Sequence, residues 1–118
     1  MQGGLRFLLI AWLAIWASLG LARENVVTEW VSLADLPVEA QRTMTLIKQD
    51  GPFPYSRDGV TFGNYEKRLP LRQRGYYREF TVKTPGSRGR GARRIISGRA
   101  GEYYYSGDHY RSFQQIRE

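Results

Sequence analysis

Apolar positions in this chain follow a helical period once and then give way to short alternating runs. Over residues 35–48 (DLPVEAQRTMTLIK), Ala40, Met44 and Ile47 recur at i, i+4 and i+7, a single stripe on a helix. Pro37 suits the first helical turn, where its missing N–H costs nothing, and Glu39 stands where the helix dipole favours an acid. Asp50-Gly51-Pro52 ends the pattern. Beyond it, aromatic and β-branched runs at 60–62, 76–83, 93–97, 103–105 and 110–116 read as strands. Arg57-Asp58-Gly59, Thr84-Pro85-Gly86 and Ser106-Gly107-Asp108 read as turns between them. One helix followed by short strands predicts an α+β domain, with one N-terminal helix packed on a small antiparallel sheet. The second face of such a sheet can stay wet and take a substrate.

The first 22 residues obey a different pattern. Met1 to Arg6 carries one positive charge, residues 7–21 (FLLIAWLAIWASLGL) carry none, and Gly20 and Ala22 put small residues before a cut after Ala22. That order is the one a secretory signal peptide needs. The competing reading is an uncleaved membrane anchor, against which the apolar run is short for a span of about 20 residues. Residues 1–22 are therefore read as a signal peptide, and 23–118 as one secreted domain with no stable membrane association after cleavage. The 118-residue chain has no cysteine, so export brings no disulfide and the fold must rest on core packing.

Charge changes the picture next. The chain has 18 Lys and Arg against 11 Asp and Glu, a net +7, which by itself points weakly to a polyanionic partner. The distribution says more. Between Lys67 and Arg99 there are eleven cations and a single acid, Glu79, whereas residues 23–66 carry more acids than bases. The basic face therefore belongs to the sheet and its loops.

Strand alternation over YYREFTVK puts Tyr77, Glu79 and Thr81 on one face, and Tyr76, Arg78, Phe80 and Val82 on the other. An isolated Glu in a basic strand usually neutralises its neighbours; its alternative role is a general base inside a phosphate site. His109 is the only histidine, at a turn entering the last strand. Such a residue is commonly an ordinary surface group, but histidine is also the usual acid–base side chain near neutral pH. Arg90, Arg93 and Arg94 lie in a glycine-rich segment, GSRGRGARR, that is either a solvated basic loop or a phosphate clamp of guanidinium donors. A carboxylate, an imidazole and several arginines suit cleavage of RNA at its 2′-hydroxyl: a base takes the hydroxyl proton, arginines stabilise charge on the phosphoryl oxygens, and an acid protonates the leaving oxygen. No cofactor is implied, and one histidine without cysteine or a tight carboxylate cluster gives no metal site. A non-catalytic secreted nucleic-acid-binding module using the same Arg- and Tyr-rich face is the alternative.

Four segments, LPVEAQRTMTLI, DGPFPYSRDGVTFGNYEKRLP, GYYREFTVKTPGSRGRGARRIISG and YYYSGDHYRSF, fall in order over roughly residues 36–116, the last ending at Phe113. Together they resemble the guanine-specific microbial ribonucleases, the bacterial and fungal family that includes barnase, and most closely its small secreted bacterial members. The resemblance implies that Glu79 in GYYREFTV is the catalytic base and His109 in GDHY the acid. It implies that Arg90 and Arg94 bind the phosphate, with Tyr110 contacting it beside the acid. Glu66 in FGNYE would pair with the guanine edge, whose adjacent N1–H and N2–H₂ donors a carboxylate can accept together. Backbone N–H groups of Gly63, Asn64 and Tyr65 would meet O6, and Phe62 or Tyr65 would stack on the base, as sequence-selective RNA readers do. Single-stranded RNA is the implied substrate, and a barstar-like inhibitor an implied partner of a monomeric enzyme.

Two positions depart from the pattern. Bacterial members often join the N-terminal segment to the C terminus by a disulfide, and Ser32 stands at that cysteine position. Tyr65 replaces an arginine of close bacterial members, so that Asn64-Tyr65-Glu66 looks like the fungal form with a tyrosine lid.

Overall fold

The computed structural model describes residues 27–118. The signal-peptide reading of residues 1–22 lies outside them. Helix α1 (Val38–Lys48) follows a three-residue 3-10 turn (Leu33–Asp35), and Pro37 precedes its first turn, with the Pro37 carbonyl accepting from Ala40 at 2.9 Å. The predicted stripe is the buried one: Ala40 and Met44 are almost wholly enclosed, and Ile47 packs against the same core. At the other end Gly51 adopts φ +91 and its N–H bonds back to Leu46 at 2.8 Å, a left-handed closure that glycine makes at no steric cost.

The described strands are β1 (Trp30–Ser32), β2 (Tyr77–Thr81), β3 (Arg94–Gly98), β4 (Tyr103–Ser106) and β5 (Gln114–Arg117), in the order β1-β5-β4-β3-β2. The α+β architecture is the expected one, and β2 through β5 pair antiparallel. The sheet is nevertheless mixed, because β1 adds parallel to β5 with Ser32 opposite Arg117. The N-terminal segment thus reaches the C-terminal strand by backbone pairing, at the position where a disulfide was expected to be missing.

Two other expectations change. Residues 60–62 form only the bridge Thr61–Arg78, although Phe62 N–H still bonds Tyr77 O at 2.9 Å and Glu79 N–H bonds Val60 O at 2.9 Å. The last strand begins at Gln114 instead of 110, because Asp108 accepts from the Ser112 backbone at 3.0 Å and hydroxyl at 2.6 Å and holds 108–112 as a turn.

Alternation separates two cores. Val82, Ile95 and Tyr105 join Leu36, Ala40, Met44 and Ile116 beneath α1. Tyr77, Ile96 and Tyr104 join Leu69 and Phe113 on the opposite face. Thr43 Oγ1 ties the helix to the sheet by donating to Thr81 O at 3.1 Å. The face away from the helix is thus covered at one end by residues 62–69, while its other end holds the polar groups described next.

Candidate active site

Glu79, at the centre of β2 opposite Ile96, points to the face away from α1 and is only 6% exposed. A carboxylate at that depth needs partners, and three are present. Arg90 Nη2 donates to Oε1 at 2.7 Å, Tyr110 OH donates to Oε2 at 3.1 Å, and Arg57 Nε stands 3.6 Å from Oε1. Arg90 is steadied in turn by its Nε–H to Thr81 Oγ1 at 3.0 Å, on the same face of β2. The lone acid of the basic stretch therefore does neutralise arginines, and it does so inside a cleft.

Adjacent arginines on a strand go to opposite faces, which separates Arg93 from Arg94. Arg93 turns to the helix side and pairs with Glu39 at 3.3 Å, so it leaves the clamp that Arg90, Arg93 and Arg94 made in the sequence. Arg94 is 2% exposed; its Nη1 donates to Gly91 O at 2.9 Å and Arg93 O at 2.8 Å. Its Nε is buried and has no hydrogen-bond partner among the described residues. Its guanidinium lies 5.9 Å from the centre of the Tyr110 ring.

His109 and Tyr110 are held in an unusual backbone. Both are left-handed, at φ 57 and 71, a conformation that non-glycine residues adopt at a cost when nothing over-determines it. Here much does. His109 N–H bonds Ala92 O at 3.0 Å, Tyr110 N–H bonds Ser106 Oγ at 2.9 Å, and Ser106 Oγ donates to Asp108 at 3.0 Å. The Ser112 hydroxyl, ahead of other donors, holds the Asp108 carboxyl below its ordinary range. The Tyr110 ring packs against Phe62 at 4.8 Å and Phe113 at 6.2 Å. Burial first, and then the Glu79 charge, push its phenol up to about 12, so it stays a neutral donor at any ordinary pH. His109 is exposed, its ring 5.1 Å from that of Tyr110, at the rim of the site and outside the cleft lining.

The cleft has a volume of about 370 Å³ and is lined by Glu79, Tyr110, Arg57 and every residue from Phe62 to Glu66. Asn64 sets the shape of that loop: at φ 52, it accepts from Leu69 N–H at 3.1 Å and donates to Leu69 O at 2.9 Å. Its side chain is therefore spent on the loop. The Tyr65 ring lies over Gly63, where a Cβ would come within 2.5 Å of it, so any larger residue there would push the ring aside. Tyr65 is 80% exposed and accepts from Arg74 at 3.0 Å through its hydroxyl. Glu66 is exposed and paired with Arg68. Arg57, in a turn, and Arg68, in a charge run, carry no functional signal in the sequence, because neither position has a periodicity to read. Among the described residues no three His, Cys, Asp or Glu side chains come together to hold a metal ion.

A carboxylate, a phenol and three arginines, Arg57, Arg68 and Arg74, line one cleft on the open face of an α+β sheet, and Arg90 bonds the carboxylate from beside it, a combination suited to a phosphodiester. Comparison with known proteins makes that class specific. The ribonuclease family model matches residues 21–117. The chain is 59% identical over 87 residues to guanyl-specific ribonuclease Sa of Kitasatospora aureofaciens, covering 73% of this chain and 91% of that protein. It is 55% identical over 86 residues to guanyl-specific ribonuclease St of Saccharopolyspora erythraea, covering 73% and 85%. The structure of ribonuclease Sa2 in complexes with mononucleotides superposes with a TM-score of 0.75 at 53% identity, over 76% of this chain and 94% of that one. Ribonuclease Sa2 with guanosine-2′-cyclophosphate superposes with a TM-score of 0.72 at 53% identity, over 75% and 95%. The chain belongs to the guanine-specific microbial ribonuclease family.

Proposed function

We propose that this protein is exported, loses residues 1–22, and as a monomer cuts single-stranded RNA on the 3′ side of guanosine without a metal. The observation that carries the reading is the shared cleft, in which the 62–66 loop faces Glu79 and Tyr110. A guanine seated on the loop would put its own ribose and 3′-phosphate at the carboxylate.

Glu79 takes the proton of the 2′-hydroxyl as O2′ attacks phosphorus and the P–O5′ bond breaks. Arg90 and Arg94 stabilise the charge that builds on the phosphoryl oxygens, and Tyr110 OH donates to the same group. His109, at the solvent edge, delivers a proton to the departing O5′. The product is a 2′,3′-cyclic phosphate. Water then opens it with the roles reversed: His109 takes the proton of water and Glu79 returns one to O2′. Glu66 accepts from guanine N1–H and N2–H₂, the backbone of Gly63, Asn64 and Tyr65 meets O6, and Tyr65 or Phe62 supplies the stacking surface.

Export rests on the charge–apolar–small order of residues 1–22, and a barstar-like inhibitor partner rests on the family resemblance alone. Digestion of a defined RNA with one guanine tests the reaction. Cutting only after guanosine, with a cyclic phosphate end that matures to a 3′-phosphate, is expected. Cleavage elsewhere, 5′-phosphate products, or loss of activity with chelator counts against it.

A further inference from the structure

Arg68 stands between the two halves of the site. Its Nη1 donates to the Glu66 carboxylate and also reaches Tyr110 O at 3.3 Å. Both contacts come from one nitrogen, so the guanidinium cannot serve one half without sensing the other. Glu66 belongs to the loop that faces the base, and Tyr110 to the left-handed turn that carries His109. Arg68 also lines the cleft itself.

From this bridge we infer that Arg68 is a positioning residue for guanine selection, coupling the seating of the base to the alignment of the catalytic turn. The inference rests on the reading that Glu66 accepts the guanine edge. Its physical content is specific. Glu66 has few restraints of its own, because its side chain is 68% exposed and a free carboxylate there samples many rotamers. A guanidinium on Oε2 removes much of that freedom and leaves a second lone-pair direction on the same oxygen, with all of Oε1, for guanine. The same nitrogen holds the Tyr110 carbonyl, so a correctly seated Glu66 and a correctly set 109–110 turn favour one arrangement of Arg68. Seating guanine then raises turnover as well as affinity. Exposed ion pairs add little to folding, so removing Arg68 should leave stability nearly unchanged while selection suffers.

The test is a double-mutant cycle on dinucleotide substrates with guanosine, inosine or adenosine on the 5′ side, together with thermal melts. Arg68→Ala should melt with the parent. It should lose about tenfold in kcat/KM on guanosine, the scale of one charge-assisted hydrogen bond, with part of the loss in kcat. The loss on adenosine should be smaller than that on guanosine, because adenine lacks the donor pair that seats Glu66. Arg68→Lys, which keeps one charged donor without the planar fork, should recover part of the loss. Glu66→Gln with Arg68→Ala should discriminate guanosine from adenosine no worse than Glu66→Gln alone, because both changes break one unit. Inosine, which lacks the N2 donors, should be less sensitive than guanosine to both substitutions. If Glu66→Gln costs guanine preference but Arg68→Ala does not, or if the two losses add, the coupling is wrong while the reading of Glu66 stands. If Glu66→Gln leaves guanine preference intact, the reading of Glu66 fails and the Arg68 inference fails with it.

Discussion

Tyr110→Phe is the sharpest small change available in this site. It deletes one oxygen, whose bond to Glu79 Oε2 measures 3.1 Å, and keeps the ring that packs on Phe62, Phe113 and His109. The left-handed backbone at this position is as accessible to Phe as to Tyr, so no new strain enters. A hydrogen bond to a charged group is worth about 1.5–3 kcal/mol, and more is lost when its partner is stranded. Glu79 is not stranded here, since Arg90 at 2.7 Å and Arg57 at 3.6 Å remain. The low end applies, so unfolding free energy should fall by about 1.5 kcal/mol, which is about 6–12 °C in Tm for a domain of this size. On the proposed mechanism the phenol moves its hydrogen bond to the phosphoryl group during reaction, so kcat/KM on a guanosine dinucleotide should fall about tenfold. Urea unfolding and steady-state kinetics on one preparation measure both. Unchanged stability and rate would mean that the Tyr110–Glu79 bond carries no energy. A loss in rate beyond about a thousandfold would make Tyr110 a proton donor in its own right, against the role given to His109.

The remaining expectations concern neighbouring groups. Arg94→Ala should cut kcat strongly and lower stability, because it empties a buried cationic position, whereas Arg88→Ala, an exposed cation outside the cleft, should only weaken RNA binding and its salt dependence. The Asp108 carboxyl is held below its ordinary value, so its contribution is present above the unfolded value of about 4 and is lost as pH falls through the lower folded one; Asp108→Asn should therefore remove part of the acid destabilisation seen in urea unfolding. Burial raises Tyr104 and Tyr110 to about 12 each, so their contribution is present below the unfolded value of about 10 and is lost as pH rises toward 12; near-ultraviolet phenolate absorbance should show late titration together with alkaline loss of stability. Ile95→Ala, under the helix, should cost about 2–5 kcal/mol in urea unfolding and leave guanine preference untouched.

Much of this molecule was legible because its signals are periodic or chemically solitary. The stripe of Ala40, Met44 and Ile47 located the helix and its buried face. Alternation in YYREFTVK placed Glu79 and Thr81 on one face of β2, where they bond the same arginine. What stayed hidden was irregular. Strand β1 is three residues long with its middle residue half-buried, too short for alternation to show, and its parallel partner is distant in sequence. The late start of β5 follows from Asp108 binding Ser112, a side-chain turn inside what reads as a strand. Family resemblance, rather than pattern, separated Arg94 from Arg93; the strand then shows why, by sending them to opposite faces. Arg57 and Arg68 act from loops, where charge has no period; only the folded chain brings Arg57 to Glu79, and Arg68, a sequence neighbour of Glu66, to the Tyr110 carbonyl.

The account turns on Glu79 and His109 sitting at opposite ends of one proton path, and the pH dependence of kcat/KM on a guanosine dinucleotide tests it most directly. Cleavage needs an ionised Glu79 and a protonated His109, so the parent profile should be bell-shaped. Glu79→Gln should flatten the acidic limb and His109→Gln the basic limb, each losing about 10²–10⁴-fold in rate. The double mutant should lose less than the product of the two, because groups that act as a unit are not additive. The corresponding deoxydinucleotide, without the attacking hydroxyl, should bind and remain uncut. Cleavage of the deoxy substrate, or full activity in His109→Gln with its basic limb intact, would contradict the mechanism.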